Sequence, residues 1–146
     1  MNTKKINRDT DAAFGIIPLE KKDGNWQVFI VQSITGNWGF PKGHADGDHE
    51  THKQSAEREL REETGLFVSS YFQAESLSVI YDCRSYGKFV SKTVTLFLAE
   101  VHGNIHLCPI EIAHGMWIDL AEIQEKIVFK PMKPLLKRLE EIVLKL

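Results

Sequence analysis

Apolar positions fill short blocks through the first two thirds of the chain and then fall at helical spacing near its end. The block Ala12-Ala13-Phe14-Gly15-Ile16-Ile17-Pro18-Leu19 predicts a strand. Pro18, which cannot donate to a ladder, is expected near its end or on a sheet edge. Polar Glu20 to Asn25, with Asp23-Gly24 inside it, predicts a hairpin turn. Trp26 to Gln32 follows as a strand buried on both faces, and Ser33 to Asn37 as a polar connection. Lys53 to Thr64 predicts a helix, and Gly65 stands where a helix ends in a left-handed residue. Phe67 to Ala74, Leu77 to Tyr81 and Phe89 to Val101 predict three more strands, with turns at Ser85-Tyr86-Gly87-Lys88 and His102-Gly103-Asn104. Gly115 to Ile118 is a further short strand. Asp119 with Glu122 has capping-box spacing and predicts a helix through about Ile127.

Pro134 suits the first turn of a last helix, whose Leu135, Leu136, Leu139, Ile142, Val143 and Leu146 share one face. Strands, a helix, more strands and two helices argue for an α+β fold with a mixed sheet between helices. The C-terminal stripe reads as core rather than as a dimer surface, which favours a monomer without settling the oligomeric state.

Length and charge narrow the classes. The 146 residues suit one domain spanning residues 1–146. With 18 basic and 20 acidic residues the net charge is −2, so bulk electrostatics gives no strong nucleic-acid signal and no attraction to an anionic membrane. Cys83 and Cys108 are too few for a disulfide scaffold and read as reduced thiols of a cytoplasmic protein. Met1 to Thr10 is polar, so no signal peptide is expected, and no stretch is long and apolar enough for a transmembrane helix.

Candidate chemistry concentrates between Trp38 and Leu66. At about 100° per residue, Glu62 lies roughly 60° to one side of Glu59 and Glu63 roughly 40° to the other, so three carboxylates crowd an arc of about 100°. Like charges at that spacing repel. A divalent cation with a preference for oxygen ligands, Mg²⁺ or Mn²⁺, would offset the repulsion. Leu60 points away from this face. Gly39-Phe40-Pro41-Lys42-Gly43-His44 is a loop that can bring backbone carbonyls and a lysine to a ligand.

Read together, these residues resemble the Nudix box, Gly-x5-Glu-x7-Arg-Glu-U-x-Glu-Glu-x-Gly-U, where U is a bulky aliphatic residue. Arg58, Glu59, Leu60, Glu62, Glu63, Gly65 and Leu66 match its C-terminal half, and Glu50 lies eight before Arg58. Six residues rather than five separate Gly43 from Glu50, an extra residue in the Asp46-Gly47-Asp48-His49 turn. The resemblance implies the Nudix α/β/α sandwich and hydrolysis of a nucleoside diphosphate linked to another moiety. Glu59, Glu62 and Glu63 would ligate Mg²⁺ with the Gly43 carbonyl. Either Glu59 or Glu62 would accept the proton of the attacking water. Arg58 would orient a helix carboxylate.

Beyond the box, the chain is similar to the asymmetric diadenosine tetraphosphate hydrolase branch. The similarity rests on Trp38 to His44, Lys92 to Val101, Glu111 before Trp117, and Phe129-Lys130-Pro131-Met132-Lys133. It implies that Tyr81 and Phe129 stack an adenine, worth about 1–3 kcal/mol per base. It also implies that Lys42, His44 and Lys92 meet phosphate oxygens and that Glu111 approaches the metal. Tyr86 is an alternative to Tyr81. The other histidines, His49, His52, His102, His106 and His114, lack metal-ligand spacing. Diadenosine tetraphosphate split to ATP and AMP is thus the expected reaction of a small-molecule nucleotide substrate. The alternatives are nucleoside triphosphates, nucleotide sugars or RNA 5′ ends, or a module that only senses nucleotide. A crowded acidic helix argues against pure sensing.

Overall fold

The computed structural model describes residues 9–72, 76–85 and 87–146. The end of the strand expected through Ala74, and Tyr86, lie outside the described residues. Among the described residues, eight strands and three α-helices run in the order β1 (Asp9–Lys22), β2 (Asn25–Ser33), β3 (Trp38–Gly39), β4 (Lys42–Gly43), α1 (His52–Thr64), β5 (Phe67–Tyr71), β6 (Leu77–Ser85), β7 (Lys88–His102), β8 (Ile112–Asp119), α2 (Ile123–Lys126) and α3 (Lys133–Val143).

The fold is the expected α+β sandwich, a mixed sheet between helices, and β1 is its branch point. Along one edge β1 runs parallel to β7, from Asp9 opposite Val90 to Pro18 opposite Ala99. Along the other edge it first pairs antiparallel with β4, at Phe14 and Gly15, and then with β2, from Leu19 to Lys22. β2 carries β3 and β8, while β7 carries β6 and then β5 on its far edge. Pro18 therefore lies inside a 14-residue strand rather than near its end. It is tolerated because its missing N–H falls where pairing to β2 has not yet begun, one residue before Leu19.

A two-residue side-chain period decides which layer each residue joins. Phe14, Ile16, Phe29 and Val31 pack on one side with Ala56 and Leu60 of α1. Ala13, Ile17, Leu19, Val28 and Ile30 pack on the other with Leu135, Leu136, Leu139 and Val143 of α3. Each fully buried aliphatic side chain contributes about 1.5–3 kcal/mol, so these two cores outweigh any single polar contact at the site. Of the C-terminal stripe, Ile142 is only partly buried and Leu146 is exposed.

Helix α1 is fastened at both ends. Thr51 accepts a hydrogen bond from the Gln54 N–H at 3.1 Å, and Gln54 Oε1 accepts one from the Thr51 N–H at 2.8 Å. Gly65 closes the helix at φ 80°, its N–H donating to the Arg61 carbonyl. The capping box expected at Asp119 does not form. The Asp119 carboxylate instead accepts a weak 3.5 Å bond from Gln27 Nε2. The chain tightens into a 3₁₀ turn, Leu120–Glu122, so α2 is four residues long.

Candidate active site

The site begins with an absence of side chain. Gly15 lets β4 lie close against β1, because a Cβ there would overlap the Pro41 carbonyl and come within 2.9 Å of Leu96. The Ile16 N–H donates to the Pro41 carbonyl at 3.1 Å. This anchorage carries Lys42 and Gly43 onto the acidic face of α1. Gly43 lies directly beneath Glu59, and an added Cβ would collide with the Glu59 carboxylate.

Helical phase sorts the three glutamates of the box that lie on α1. Glu63 shares its side of α1 with Leu60 and Ala56, and is buried at 7 % exposure. Its carboxylate accepts the backbone N–H of Lys42. Glu59, one turn earlier, is half-buried against Gly43. Glu62 lies off that line, its side chain 54 % exposed and bonded to Arg58. The third member of this carboxylate group, the exposed Glu111, comes from the far side of the chain. Oxygens of Glu59, Glu63 and Glu111 lie within 4.8 Å of one another. Glu111 is brought there by the 103–111 loop, which docks on the end of α1: the His106 N–H donates to the Thr64 carbonyl at 2.7 Å and the Cys108 N–H to the Glu63 carbonyl at 3.0 Å. On its other side the Glu111 carbonyl accepts the Ile34 N–H at 3.1 Å.

Arg58 ties the helix to the preceding turn. It donates to Glu50 through Nε at 2.8 Å, to Glu59 and Glu62 through one terminal nitrogen at 3.0 and 3.1 Å, and to the His44 carbonyl through the other at 2.6 Å. Glu50 also accepts the Asp46 N–H and the Ser55 hydroxyl. The Arg58 hydrogen bond above all holds the Glu50 carboxyl down at about 2. The one-residue insertion in the Asp46–His49 turn is absorbed without loss of this bond.

The electrostatics suits a cation. Burial, with the neighbouring Glu59 charge, pushes Glu63 up to about 8. Burial also raises Glu59, against the hydrogen bond from Arg58. Glu59 and Glu63 so placed resist joint ionisation unless positive charge joins them. An all-oxygen donor set over a glycine that leaves room beside it fits a hard divalent ion such as Mg²⁺ or Mn²⁺. Gly43 adopts no left-handed conformation, so Gly43→Ala is compatible with the backbone and acts by steric displacement of Glu59. The variant is expected to fold normally but to lose at least about tenfold in Mg²⁺ affinity, read as a smaller metal-induced rise in Tm.

A cleft of about 480 Å³ is lined by Glu63, Glu111, Lys42, Tyr81, Cys83 and Phe129 among others. That volume is ample for a nucleotide. Tyr81 and Phe129 meet edge to face, ring centroids 4.9 Å apart at 80°. Burial chiefly, then the Lys92 charge, lowers the Lys42 pKa. Lys92 stands opposite Tyr81 across β6 and β7 and opposite Asp11 across β1 and β7. Its Nζ is 4.0 Å from Asp11 Oδ2, and His44 Nε2 shares that oxygen at 2.9 Å. Of the candidates, Lys42, Glu63, Tyr81, Glu111 and Phe129 line this cleft, while Gly43, Arg58, Glu59 and Lys92 stand outside its lining and Glu62 and His44 hold exposed positions. His52 instead stacks on Phe14, and His102 bonds Ser69. Asp11 was not legible as a site residue, because a lone aspartate at the start of a strand has no motif. Only the parallel register of β1 and β7 reveals it.

A family model of the NUDIX domain matches residues 9–139. Among solved structures, the Ap4A hydrolase of C. elegans in a binary complex is 22 % identical, with a TM-score of 0.75 over 94 % of this chain and 100 % of that one. The NUDIX domain of NrtR from Shewanella oneidensis, complexed with ADP ribose, is 19 % identical, with a TM-score of 0.70 over 97 % and 94 %. Likeness at these identities carries the fold. The 111R protein of Invertebrate iridescent virus 3 is 54 % identical over 57 residues, a match covering 35 % of this chain and 34 % of that protein. The chain thus spans about a third of the length of this curated relative. No helix among the described residues is long and apolar enough to cross a membrane.

Proposed function

The chain belongs to the NUDIX domain family, and on that premise we propose that it hydrolyses a phosphoanhydride bond of a nucleoside polyphosphate with the help of a divalent cation. The substrate we assign is diadenosine tetraphosphate, which gains one water and leaves as ATP and AMP. The observation that carries the reading is the single cleft lined by the carboxylates Glu63 and Glu111, by Lys42 and by the aromatic pair Tyr81 and Phe129. That set of groups suits a nucleotide with a phosphate chain: carboxylates to hold a cation, a lysine for phosphate oxygens and aromatic faces for a base.

In this reading Glu59, Glu63 and Glu111, with the Gly43 backbone, hold Mg²⁺. The ion neutralises phosphate oxygens and lowers the pKa of a water when bound. Glu62, with the most exposed carboxylate of the helix trio, takes the proton of the attacking water. Arg58 fixes Glu59 and Glu62 from the side opposite the substrate. Lys42, Lys92 and His44 bind phosphate oxygens as charge-assisted donors. Tyr81 and Phe129 receive an adenine.

The test is a product analysis with Mg²⁺, offering diadenosine tetraphosphate, ATP, ADP-ribose and 5′-triphosphorylated RNA side by side. ATP plus AMP from the dinucleotide, with slow cleavage of the rest, is the expected result. Faster cleavage of another substrate would keep the acidic centre and overturn the adenine subsite. Saturable binding without turnover would favour a nucleotide sensor.

A further inference from the structure

We propose that Asp11 is a positioning residue, a carboxylate clamp that holds Lys92 and His44 together as one grip for the phosphate chain. The proposal rests on the phosphoanhydride reading above.

A negative charge on the path of a polyanion needs a reason, and the geometry supplies one. Both oxygens of the Asp11 carboxylate are engaged. Oδ1 accepts the backbone N–H of Ala12 at 3.0 Å, which fixes the carboxylate to β1. Oδ2 takes His44 Nε2 at 2.9 Å and Lys92 Nζ at 4.0 Å. Asp11 and Lys92 are direct register partners, as are Lys92 and Tyr81, so the three form one row across β1, β7 and β6. His44 follows Gly43, which lies beneath Glu59, and Tyr81 lines the cleft. The clamp therefore links the turn after Gly43 to the strand that carries Tyr81, beside the cleft that would take the phosphate chain of a bound nucleotide.

The ionised state persists there. Burial raises the Asp11 pKa, but the His44 hydrogen bond and the His44 and Lys92 charges outweigh it and hold it below the usual range. Lys92 comes from β7 and His44 from the segment just after β4, remote in sequence, and a long lysine side chain samples many rotamers when free. Anchoring it in advance lowers the entropy lost when phosphate binds. Lys42, deeper in the cleft, repels Lys92. Asp11 offsets that repulsion and keeps the second cation at the rim.

The test uses inorganic tripolyphosphate binding by calorimetry in metal-free buffer for the wild type, Asp11→Asn, Lys92→Ala and the double variant. Nucleotide turnover is assayed in parallel. Asp11→Asn and Lys92→Ala should each weaken binding about tenfold, and the double variant should be no more than about twofold worse than Lys92→Ala. In turnover the Asp11→Asn loss should fall on KM rather than kcat. Unchanged or tighter binding in Asp11→Asn, multiplicative losses in the double variant, or no tripolyphosphate binding by the wild type would each overturn the clamp. Should Asp11→Asn unfold, Asp11→Ser decides on the same criteria. Coupled binding losses with no nucleotide turnover would retain the clamp and reject the hydrolase reading. Turnover without coupling would do the reverse.

Discussion

Glu63→Gln is expected to abolish most catalysis while making the metal-free protein more stable at alkaline pH. The carboxylate is buried, faces Glu59 and Glu111, and is held up at about 8. Its ordinary value, 4.5, applies to the unfolded chain. Between about 4.5 and 8 the metal-free native state therefore binds more protons than the unfolded state, and stability must fall as pH rises through that window. A divalent cation reverses the balance, because it prefers the ionised form. Metal affinity should rise with pH up to about 8, with release of protons on binding.

Glutamine keeps the shape and removes the titration. In Glu63→Gln the fall in Tm between pH 5 and pH 9 should flatten and the Mg²⁺-induced rise in Tm should shrink. Loss of several kcal/mol of charge stabilisation should cost turnover about two to three orders of magnitude. Thermal melts with and without Mg²⁺ across that pH range, with initial rates at pH 8, give all three readouts. A variant of near-wild-type activity would remove Glu63 from the metal site.

The second large effect is expected from Arg58→Ala, and it should strike fold and function together. Arg58 is the one cation among the contacts joining Glu50, Glu59 and Glu62, and it also holds the His44 carbonyl. Its removal leaves partly buried carboxylates facing one another, which costs far more than deleting a surface ion pair. Tm should fall by about 6 °C or more, and activity by about tenfold to a hundredfold as Glu59 and the Gly43–His44 backbone lose their brace. Arg58→Lys should recover only part of either loss, since a single ammonium cannot span Glu50, the helix carboxylates and a carbonyl at once. A melt indistinguishable from wild type would show that the network is dispensable.

The Glu50 bond adds an acid limb. The native Glu50 carboxyl titrates at about 2 against 4.5 when unfolded, so its contribution is present above 4.5 and is lost as pH falls toward 2. Arg58→Ala should blunt this acid sensitivity.

Much of this protein is local, and local features are written in the chain. The strand β2 was recognisable as buried on both faces because its apolar run is continuous, and the structure divides it residue by residue between two cores. Helix α1 was legible within one residue at its start, and Gly65 marked its end, because caps act over three or four neighbours. Arg58, Glu59, Glu62 and Glu63 lie within one and a half turns, so their approximate arc followed from helical geometry alone.

What escaped is non-local. Nothing near Asp119 shows that the chain turns into a 3₁₀ segment there, nor anything near Pro18 that β1 changes partners beside it. The choice between Glu62 and Glu63 as the buried carboxylate depends on which side of α1 meets the sheet, through Ala56 and Leu60. Glu111 reaches the site by loop docking onto the end of α1, and Asp11 by a parallel register with a strand some eighty residues away. The sequence by itself determined the family motif, the elements and the carboxylate chemistry, because spacing along a helix or strand is set by backbone geometry. The tertiary structure alone decided which carboxylates gather together and that Lys92 and His44 share the Asp11 carboxylate, because those pairings depend on how distant segments pack.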